Sequence, residues 1–519
     1  MAVAVSNQSV PFEDVDPLAL DPALGEALER EGAAWAVERV REAGVVALSA
    51  EGQAHGRRAE RNEPRLLTHD RFGERIDQVE LDPSWHWLLD GAVARQIHAL
   101  PWADPRPGAH AARAGLELMW TQANAGVMCP ISMTYSAVPA LRVDPAIAAE
   151  WEPRLIAGAL SGMAMTEKQG GSDVRANITR AEPVGDGWFE LHGHKWFCSY
   201  PPCTIFLVLA QAPAGLSCFV VERGAGMEFQ RLKDKLGTRS LPSSEVEFHG
   251  AAARLLGEEG RGVATIIEMV THTRLDCVIG STASMRRGVA EAVWHAQHRS
   301  AFGARLVDQP AMINVLADLA LESEAATATA LRLARAYDEG DTAFRRFATA
   351  IAKYWVCKRA TPHAAEALEC LGGNGYVEES PMPRLLRDAP LNGIWEGSGN
   401  VIALDVLRAL AREPDGLAGF IAECERARGG NAVLDEHLDA LPRLELEPWT
   451  ARRAVEELAL AFQASLLVRH APAFVSDAFC AARLGAGGRV FGTLPSGIDG
   501  AAIVERALPT VSPHRLPGA

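Results

Sequence analysis

The feature that most constrains the fold is a change of hydrophobic periodicity near the middle of the chain. Between about residues 161 and 256 the pattern has a period of two, in short β-rich runs separated by Gly, Pro and Asp. These runs are Trp188–Leu191, Thr204–Leu209, Cys218–Val221 and Val246–Phe248. Segments with helical periodicity flank this block on both sides. Because strands and helices are segregated, the pattern predicts an α+β protein and argues against a Rossmann domain.

Four segments follow from this pattern. The chain has 519 residues, which exceeds one ordinary domain of roughly 150 residues. We expect an N-terminal helical domain over 1–160, a β domain over 161–262, a helical bundle over 263–412 and a C-terminal helical extension over 413–519.

Composition narrows the class of protein. The chain is 48% hydrophobic and 23% charged, and no apolar run approaches the ~20 residues of a membrane span. The N-terminal residues lack a basic region typical of a secretory signal, so we expect a cytoplasmic protein. Nine scattered cysteines without a CxxC pair favour reduced thiols. His295 and His298 have no third ligand nearby in sequence, so we predict no metal site.

Short strings in a fixed order carry the chemistry. They are Met163-Ala-Met-Thr-Glu-Lys-Gln-Gly-Gly-Ser-Asp-Val174, Gly193-His-Lys-Trp-Phe-Cys-Ser199, Arg299-Ser-Ala-Phe-Gly303 followed by Gln309, Glu369-Cys-Leu-Gly-Gly-Asn-Gly-Tyr376 and Ile394-Trp-Glu-Gly-Ser-Gly-Asn400. Together they resemble the flavin-binding and catalytic segments of acyl-CoA dehydrogenases, and the resemblance extends over about residues 20 to 410. It implies the acyl-CoA dehydrogenase fold, in which a β-barrel lies between a helical domain and a helical bundle, here with a further helical extension.

The resemblance implies that FAD is the cofactor. Gly170 and Gly171 let the backbone approach a flat ligand, Thr166 and Ser172 offer hydroxyls, and Trp196 can lie against one face of the flavin ring. The alternative for these positions is a hydrogen-bonded turn and a core tryptophan. The residues that the resemblance assigns to FAD are Met163, Met165, Thr166, Gly171, Ser172, Trp196, Phe197, Ser199, Arg299, Phe302, Gln309, Glu369, Gly372, Gly373, Ile394, Trp395, Gly397, Ser398 and Asn400.

Two of these strings concern the nucleotide end of FAD. In the family, the segment matching Arg299–Gly303 reaches FAD from a neighbouring subunit, which implies an oligomer, and a guanidinium is well suited to pyrophosphate. Alone, Arg299 would be a surface arginine. The glycine-rich string resembles the turn on the adenosine side of FAD. Glu369 stands where family members commonly carry Gln, which leaves that one polar contact open.

Glu396 is the catalytic residue that the resemblance implies. In the family, the matching carboxylate removes the proton α to a thioester while hydride leaves the β carbon for flavin N5. Shielding from water raises the pKa of a carboxyl toward the working pH, and Ile394 and Trp395 could provide such shielding. The alternative is a glutamate that caps or pairs near the following helix.

Within the family, the strings Arg231–Ser240 and Cys129–Ala137 resemble AidB-type proteins of the adaptive response to DNA alkylation, which are tetramers. Their C-terminal extension is associated with double-stranded DNA. Here the region 416–519 has ten Arg and no Lys against twelve Asp and Glu, a formal charge of −2, in a chain of net charge −15. The candidate DNA-binding residues are Arg452, Arg453, Arg469, Arg483 and Arg489.

Three functions follow from the resemblance. The first is α,β-dehydrogenation of a short or branched acyl-CoA. The second is protection of DNA by a DNA-binding flavoprotein with weak dehydrogenase activity. The third, a flavin monooxygenase on the same scaffold, is less favoured because Glu396 is retained.

Overall fold

Nineteen α-helices and eleven β-strands make up the part of the chain that the computed structural model describes, residues 6–412 and 414–510. The helices are α1 (Pro22–Arg30), α2 (Val37–Ala47), α3 (Ala50–Arg61), α4 (Pro83–Ala94), α5 (Leu100–Ala103), α6 (Ala109–Thr121), α7 (Met128–Leu141), α8 (Pro145–Ile156), α9 (Gly262–His298), α10 (Pro310–Glu339), α11 (Thr342–Cys370), α12 (Gly373–Tyr376), α13 (Met382–Asp388), α14 (Gly399–Arg412), α15 (Pro414–Glu425), α16 (Ala432–Ala440), α17 (Ala451–His470), α18 (Ala473–Arg483) and α19 (Gly500–Ala507). The strands are β1 (Arg65–His69), β2 (Arg75–Glu80), β3 (Ser161–Ala164), β4 (Arg180–Gly185), β5 (Trp188–Ser199), β6 (Ile205–Ala212), β7 (Gly215–Glu222), β8 (Met227–Leu232), β9 (Ser243–Leu256), β10 (Ser300–Ala301) and β11 (Ala304–Arg305).

The chain divides into two compact units by its internal contacts. One unit comprises Met1–Glu51, Pro107–Gln122 and Cys277–Ala519, and the other comprises Gly52–Arg106 and Ala123–Asp276. The segment 1–160, expected as one helical domain, therefore contributes to both units. The bounds of the four domains inferred from the sequence remain predictions.

A closed β-barrel forms the centre of the second unit. Strands β6, β4, β5, β9 and β7 follow one another in the sheet, and β7 pairs back onto β6. Strand β3 runs parallel to β6, and β8 pairs with β9. The four sequence runs fall in β5, β6, β7 and β9, except that Thr204 precedes β6. Buried residues alternate with more exposed ones in the runs of β5 and β9, whereas the runs of β6 and β7 are buried throughout. The α+β prediction, with a barrel between helical segments, is confirmed.

One element was not expected. An antiparallel hairpin, β1 with β2, interrupts the segment that the sequence analysis reads as helical. Its residues are mostly exposed or half-buried, so the hairpin lacks the strong apolar alternation that marks a strand. The sequence analysis expected a helical N-terminal domain and did not predict this hairpin within it.

Long helices carry the first unit. Helix α10 ends at Glu339 and is terminated by Gly340, which has a left-handed φ of 71°. Helix α11 begins after Asp341, whose carboxylate accepts a hydrogen bond from the amide of Phe344 at 3.0 Å. Helix α17 of the C-terminal extension packs against both α10 and α11. No helix among the described residues is long and apolar enough to span a membrane.

Buried ion pairs attach the extension to the bundle. Arg483 of α18 lies 2.5 Å from Asp318 and 2.9 Å from Glu322 of α10, and Asp318 also accepts a hydrogen bond from the amide of Gly492 at 2.9 Å. Glu423 of α15 lies 3.2 Å from Arg332 of α10 and 2.7 Å from Arg469 of α17, so it joins the bundle to two helices of the extension. These arginines therefore hold the extension in place through charges that are largely removed from water.

Candidate functional site

The loop after β3 is fastened to the strand that carries Trp196. The carbonyl oxygen of Thr166 accepts a hydrogen bond from the amide of Trp196 at 2.8 Å, and the Asn177 side-chain amide donates to the carbonyl oxygen of Met165 at 2.9 Å. Met163, Met165 and Thr166 are half-buried. The structure therefore brings the first two predicted flavin strings together on one side of the barrel.

Gly171 is required by close packing within this loop. A Cβ added to Gly171 would lie 2.3 Å from Oγ1 of Thr166, a distance that no side chain tolerates. Gly170 has a φ of 140°, which L-residues rarely adopt. Ser172 is exposed. The loop is therefore a tight glycine turn with Ser172 on its exposed side.

A fully buried ion pair lies beneath the loop. Glu167 Oε1 is 2.7 Å from Lys195 Nζ, and the carboxylate also accepts hydrogen bonds from the amides of Ile178 at 2.7 Å and Thr179 at 3.1 Å. Burial opposes ionisation of Glu167, but the Ile178 amide and the Lys195 ammonium outweigh it and lower the pKa of the carboxyl to about 2. Burial lowers the pKa of Lys195 to about 8. The pair fixes the loop to β5.

The Trp196 ring is already covered on one side. Lys233 Nζ lies 3.1 Å from the ring centroid, and this ammonium also contacts Glu245 Oε1 at 2.6 Å. Trp196 is half-buried, and its neighbour Phe197 is 48% exposed. The Ser199 and Ser243 hydroxyls lie 3.3 Å apart. Trp196 is thus a cation–π partner of Lys233 rather than a core residue.

Within the first unit, the two strings expected at the nucleotide end of FAD line one open cleft of about 270 Å³. Arg299, Glu369, Gly372 and Gly373 are among its lining residues. The Arg299 guanidinium donates a hydrogen bond to the carbonyl oxygen of Asn7 at 2.5 Å. A cleft with an arginine and a glycine turn suits a phosphate-bearing ligand.

The hairpin β10–β11 forms one edge of this region. Phe302 at its tip is fully exposed and has a left-handed φ of 52°. The Gln309 side-chain amide donates to the carbonyl oxygen of Ala301 at 2.8 Å, which fixes the base of the hairpin. Gln309 is therefore occupied with the hairpin, whereas the Phe302 ring has no cover within the described residues.

Glu396 lies in a strained loop before α14. Its φ is 57°, a left-handed value that is uncommon for a residue with a side chain, and Gly397 follows with a φ of 106°. The ammonium of Lys353 donates hydrogen bonds to the carbonyl oxygens on either side, of Trp395 at 2.9 Å and of Gly397. Lys353 is only 1% exposed. The buried ammonium of Lys353 on α11 thus binds the backbone on both sides of Glu396, the predicted base.

Further contacts support the same loop. The indole nitrogen of Trp395 donates to Asn392 Oδ1 at 2.9 Å, and the Asn392 amide donates to the Ser281 hydroxyl at 3.2 Å. The carbonyl oxygen of Ser398 accepts from the amide of Ile402 at the start of α14. Ile394, at 62% exposed, does not shield the loop in this chain alone, and Asn400 is also exposed.

Comparison with known proteins decides the family. Three family models match in order: the adaptive response protein AidB N-terminal domain over residues 7–160, the acyl-CoA dehydrogenase middle domain over 162–251 and the acyl-CoA dehydrogenase C-terminal domain over 260–411. AidB of Escherichia coli (strain K12) is 43% identical over 481 residues, which cover 88% of each chain. The chain belongs to the AidB-type acyl-CoA dehydrogenases.

Other relatives agree with this assignment. Acyl-CoA dehydrogenase family member 11 of Caenorhabditis elegans is 32% identical over 428 residues, covering 75% of this chain and 69% of that protein. The crystal structure of C. elegans ACDH-11 in complex with C11-CoA superposes with a TM-score of 0.88 and 27% identity, over 95% of each chain. Membership of this flavoprotein family supports FAD as the cofactor.

The residues on this AidB-type scaffold fit such a cofactor. The loop with Thr166 and Gly171 offers a tight glycine turn, and the cleft at Arg299 offers a cation beside a second glycine turn at Gly372. A flat ring and a pyrophosphate need these two kinds of surface. Within the described residues, no group of three or more His, Cys, Asp or Glu is placed to hold a metal ion.

The candidate DNA-binding arginines separate into two groups. Arg483 pairs with Asp318 of α10, and Arg469 pairs with Glu423 inside the extension, so both are engaged in ion pairs. Arg452, Arg453 and Arg489 are exposed. Duplex DNA binding remains a prediction, and in this structure it depends on the three exposed arginines.

Sequence reasoning missed two lysines. Lys353 stands alone in the apolar run Ala350-Ile-Ala-Lys-Tyr-Trp-Val356 of α11, and an isolated lysine in an apolar helical run is the signal that indicates a buried partner. Lys233, which covers Trp196, belongs to the string Arg231–Ser240 that was used only to identify the subgroup.

Proposed function

We propose that this protein is an FAD-dependent dehydrogenase that introduces an α,β double bond into a short or branched acyl-CoA, with Glu396 as the base. Family membership supports an oxidoreductase of the acyl-CoA dehydrogenase type. The C. elegans relative was solved with C11-CoA, which supports an acyl thioester as the substrate class. Bound FAD supplies the hydride acceptor of this chemistry, at flavin N5.

The proposal rests on the hydrogen bonds from Lys353 to the backbone on either side of Glu396. A left-handed residue with a side chain costs roughly 1 kcal/mol or more and persists only where its surroundings impose it. Here a buried ammonium binds the carbonyl oxygens before and after Glu396 and imposes that conformation. A glutamate that merely caps α14 would need no such support. We infer that the loop is held to present this carboxylate in a fixed orientation.

The remaining residues have separate proposed roles. Thr166, Gly171 and Trp196 bind the flavin ring, and the Glu167–Lys195 pair holds their loop in place. Arg299 binds the pyrophosphate, and the glycine turn at Gly372 lies on the adenosine side. Glu396 takes the proton α to the thioester carbonyl. Lys353 positions Glu396 without contacting the substrate.

The proposed assembly is a homotetramer. Phe302 is fully exposed and Tyr376 is 80% exposed, and both lie next to strings that line the cleft at Arg299. Such exposed aromatic rings are typical of surfaces that meet another protein. A neighbouring subunit that covers this cleft would agree with the role that the family gives to the Arg299 segment.

Anaerobic reduction of the flavin tests the function. The purified protein, loaded with FAD, is mixed with a panel of short and branched acyl-CoAs, and bleaching of the flavin is followed by absorbance. We expect Glu396→Gln to slow reduction by about 10³-fold, because a base contributes about 10²–10⁴, while FAD content stays the same. Glu379→Gln, at an exposed position outside the strings assigned to the cofactor and the base, is the matched control and should reduce normally.

Two outcomes would contradict the proposal. One is an E396Q protein that is reduced as fast as the wild type. The other is a wild-type protein with full FAD content that no acyl-CoA of the panel can bleach.

A further inference from the structure

A tight turn, Glu167–Gly170, lies between two residues that are proposed to bind the flavin ring. The amide of Gly170 donates a hydrogen bond to the carbonyl oxygen of Glu167 at 3.0 Å, and the amide of Glu167 donates to the carbonyl oxygen of Gly170 at 3.2 Å. Thr166 directly precedes the turn and Gly171 directly follows it. The position of the turn therefore sets how Thr166 and Gly171 lie against each other.

A histidine of the barrel holds this turn from the side. The amide of Lys168, the second residue of the turn, donates a hydrogen bond to Nε2 of His194 on β5 at 3.0 Å. The His194 backbone is itself fixed, because its carbonyl oxygen accepts from the Thr179 hydroxyl at 2.9 Å and its amide donates to the same hydroxyl oxygen at 3.3 Å. The imidazole thus joins the turn to β5, separately from the buried Glu167–Lys195 ion pair.

The hydrogen bond defines the charge of the His194 imidazole. A backbone amide can only donate, so Nε2 must accept through its lone pair and cannot carry a proton. The neutral ring meets this condition, whereas the imidazolium ion has a proton on both nitrogens. Protonation of His194 therefore breaks the bond to the Lys168 amide and sets two N–H groups against each other.

The surroundings keep His194 neutral near pH 7. Burial lowers the pKa of His194 below its usual value, and the cations Lys168 and Lys195 add to this shift. Glu167 opposes the shift, as does Glu247, which pairs with His194 in the register of β5 and β9. Glu167, with a pKa of about 2, and Lys195, with a pKa of about 8, keep their charges between pH 7 and pH 5. Across that range His194 gains charge while this buried ion pair stays as it is.

The bond to the turn gives His194 a part in binding the cofactor. We propose that His194 is a positioning residue whose neutral imidazole holds the turn in the conformation that binds the flavin ring, so that protonation of His194 weakens FAD binding. This inference rests on the proposed contacts of Thr166 and Gly171 with the flavin. His194 acts through the Lys168 amide and needs no contact of its own with FAD.

Binding of FAD at two pH values tests this role. The FAD-loaded protein is diluted at pH 7 and at pH 5, and the release of FAD is followed to equilibrium by flavin fluorescence. For the wild type we expect the dissociation constant to rise about fivefold at pH 5, as for the loss of one hydrogen bond. His194→Gln keeps an acceptor that does not titrate, so it should bind as the wild type does at pH 7 and change less at pH 5. His194→Phe has no acceptor and should bind about fivefold more weakly at pH 7.

A control variant and a direct measurement of the bond separate this role from a general effect of acid. His192→Gln is the matched control, because His192 lies on the same strand with its imidazole 3.9 Å from Glu190, and it should keep the pH dependence of the wild type. Hydrogen exchange of the peptide around Lys168, measured by mass spectrometry, reports the bond itself. At pH 5 the Lys168 amide should exchange several-fold faster in the wild type than in His194→Gln. Neither measurement uses acyl-CoA, so both are independent of whether Glu396 acts as a base.

Three results would overturn the proposal. One is an equal change of FAD affinity in the wild type and in His194→Gln between pH 7 and pH 5. Another is a His192→Gln protein that loses the pH dependence as His194→Gln does. The third is faster exchange of the Lys168 amide at pH 5 with unchanged FAD affinity, which would limit His194 to a structural role. If His194→Phe fails to fold, the comparison with His194→Gln still decides.

Discussion

Lys195 in the barrel and Lys353 in the helical bundle are two buried lysines with opposite surroundings. Lys195 is fully buried and has a carboxylate partner, Glu167, at 2.7 Å. Lys353 is 1% exposed, and its ammonium donates to the carbonyl oxygens of Trp395 and Gly397. Each lysine supports a loop that the sequence singled out. In the barrel the charge of Lys195 is neutralised by an anion, whereas in the bundle the ammonium of Lys353 bonds neutral carbonyl groups.

The difference indicates different roles. A buried ion pair with additional hydrogen bonds is self-contained, and its removal chiefly affects folding because the surviving charge is left in the protein interior. A buried ammonium that bonds neutral carbonyl groups leaves no charge behind when it is removed. Its loss should chiefly affect the conformation of the loop whose carbonyl groups it binds. Lys195 is therefore expected to govern stability, and Lys353 the orientation of Glu396.

The largest expected effect is that of Lys195→Met on stability. This change leaves Glu167 buried and unpaired, so we expect the free energy of unfolding of the barrel-containing protein to fall by about 3–5 kcal/mol. Urea unfolding followed by tryptophan fluorescence measures it. Lys168→Met is the matched control, because Lys168 lies on the same loop with its side chain 53% exposed, and it should change stability by less than about 0.5 kcal/mol.

A double variant sharpens the same test. Lys195→Met combined with Glu167→Leu removes both charges, and we expect it to regain much of the lost stability, since apolar replacement of a buried pair is often nearly neutral. If the double variant were as unstable as Lys195→Met, the pair would not be the self-contained unit described above.

Lys353→Met should affect turnover more than stability. Without the ammonium, Glu396 can leave its left-handed conformation, and we expect kcat for acyl-CoA-dependent flavin reduction to fall about 10²-fold, since misplacement of a catalytic group by about 1 Å can have that effect. FAD content and KM should change little. Arg346→Met, at an exposed position of the same helix, is the matched control and should keep wild-type kcat.

A loss of stability as large as that of Lys195→Met, with the kcat of the remaining folded protein unchanged, would contradict the proposed role. Lys353 would then be a structural residue only. Comparing the loss of kcat with the loss of stability therefore distinguishes a lysine that positions Glu396 from one that only stabilises the fold.

The sequence predicted the order of the domains and the loops of the site, and its failures have physical causes. The barrel strands were found because their short runs are strongly apolar, whereas the β1–β2 hairpin has too few buried residues to give such a signal. Lys353 bonds backbone carbonyl groups that lie more than forty positions away in sequence. A carbonyl group carries no sequence signature, so such a contact is invisible without coordinates.

Arginines show the same limit. Arg453 and Arg483 look alike in the sequence, yet one is exposed and the other lies between Asp318 and Glu322. The partners of Arg483 are more than 150 positions away. Charge counts therefore described the extension as a whole but could not tell which arginines are available to a ligand.

The smallest effect separates the charge of Glu167 from its packing. The pKa of Glu167 is about 2 in the folded protein and near 4.5 when unfolded, so its ionisation stabilises the fold above about pH 4.5 and loses that effect as pH falls through 2. Glu167→Gln cannot ionise. We expect it to cost roughly 2 kcal/mol at pH 7, and the gap from the wild type, measured by urea midpoints between pH 7 and pH 3, should narrow below pH 4.5. Glu182→Gln, exposed on β4, should show no such gap. A gap that stays constant down to pH 3 would mean that the shape of Glu167, and not its charge, supports the loop.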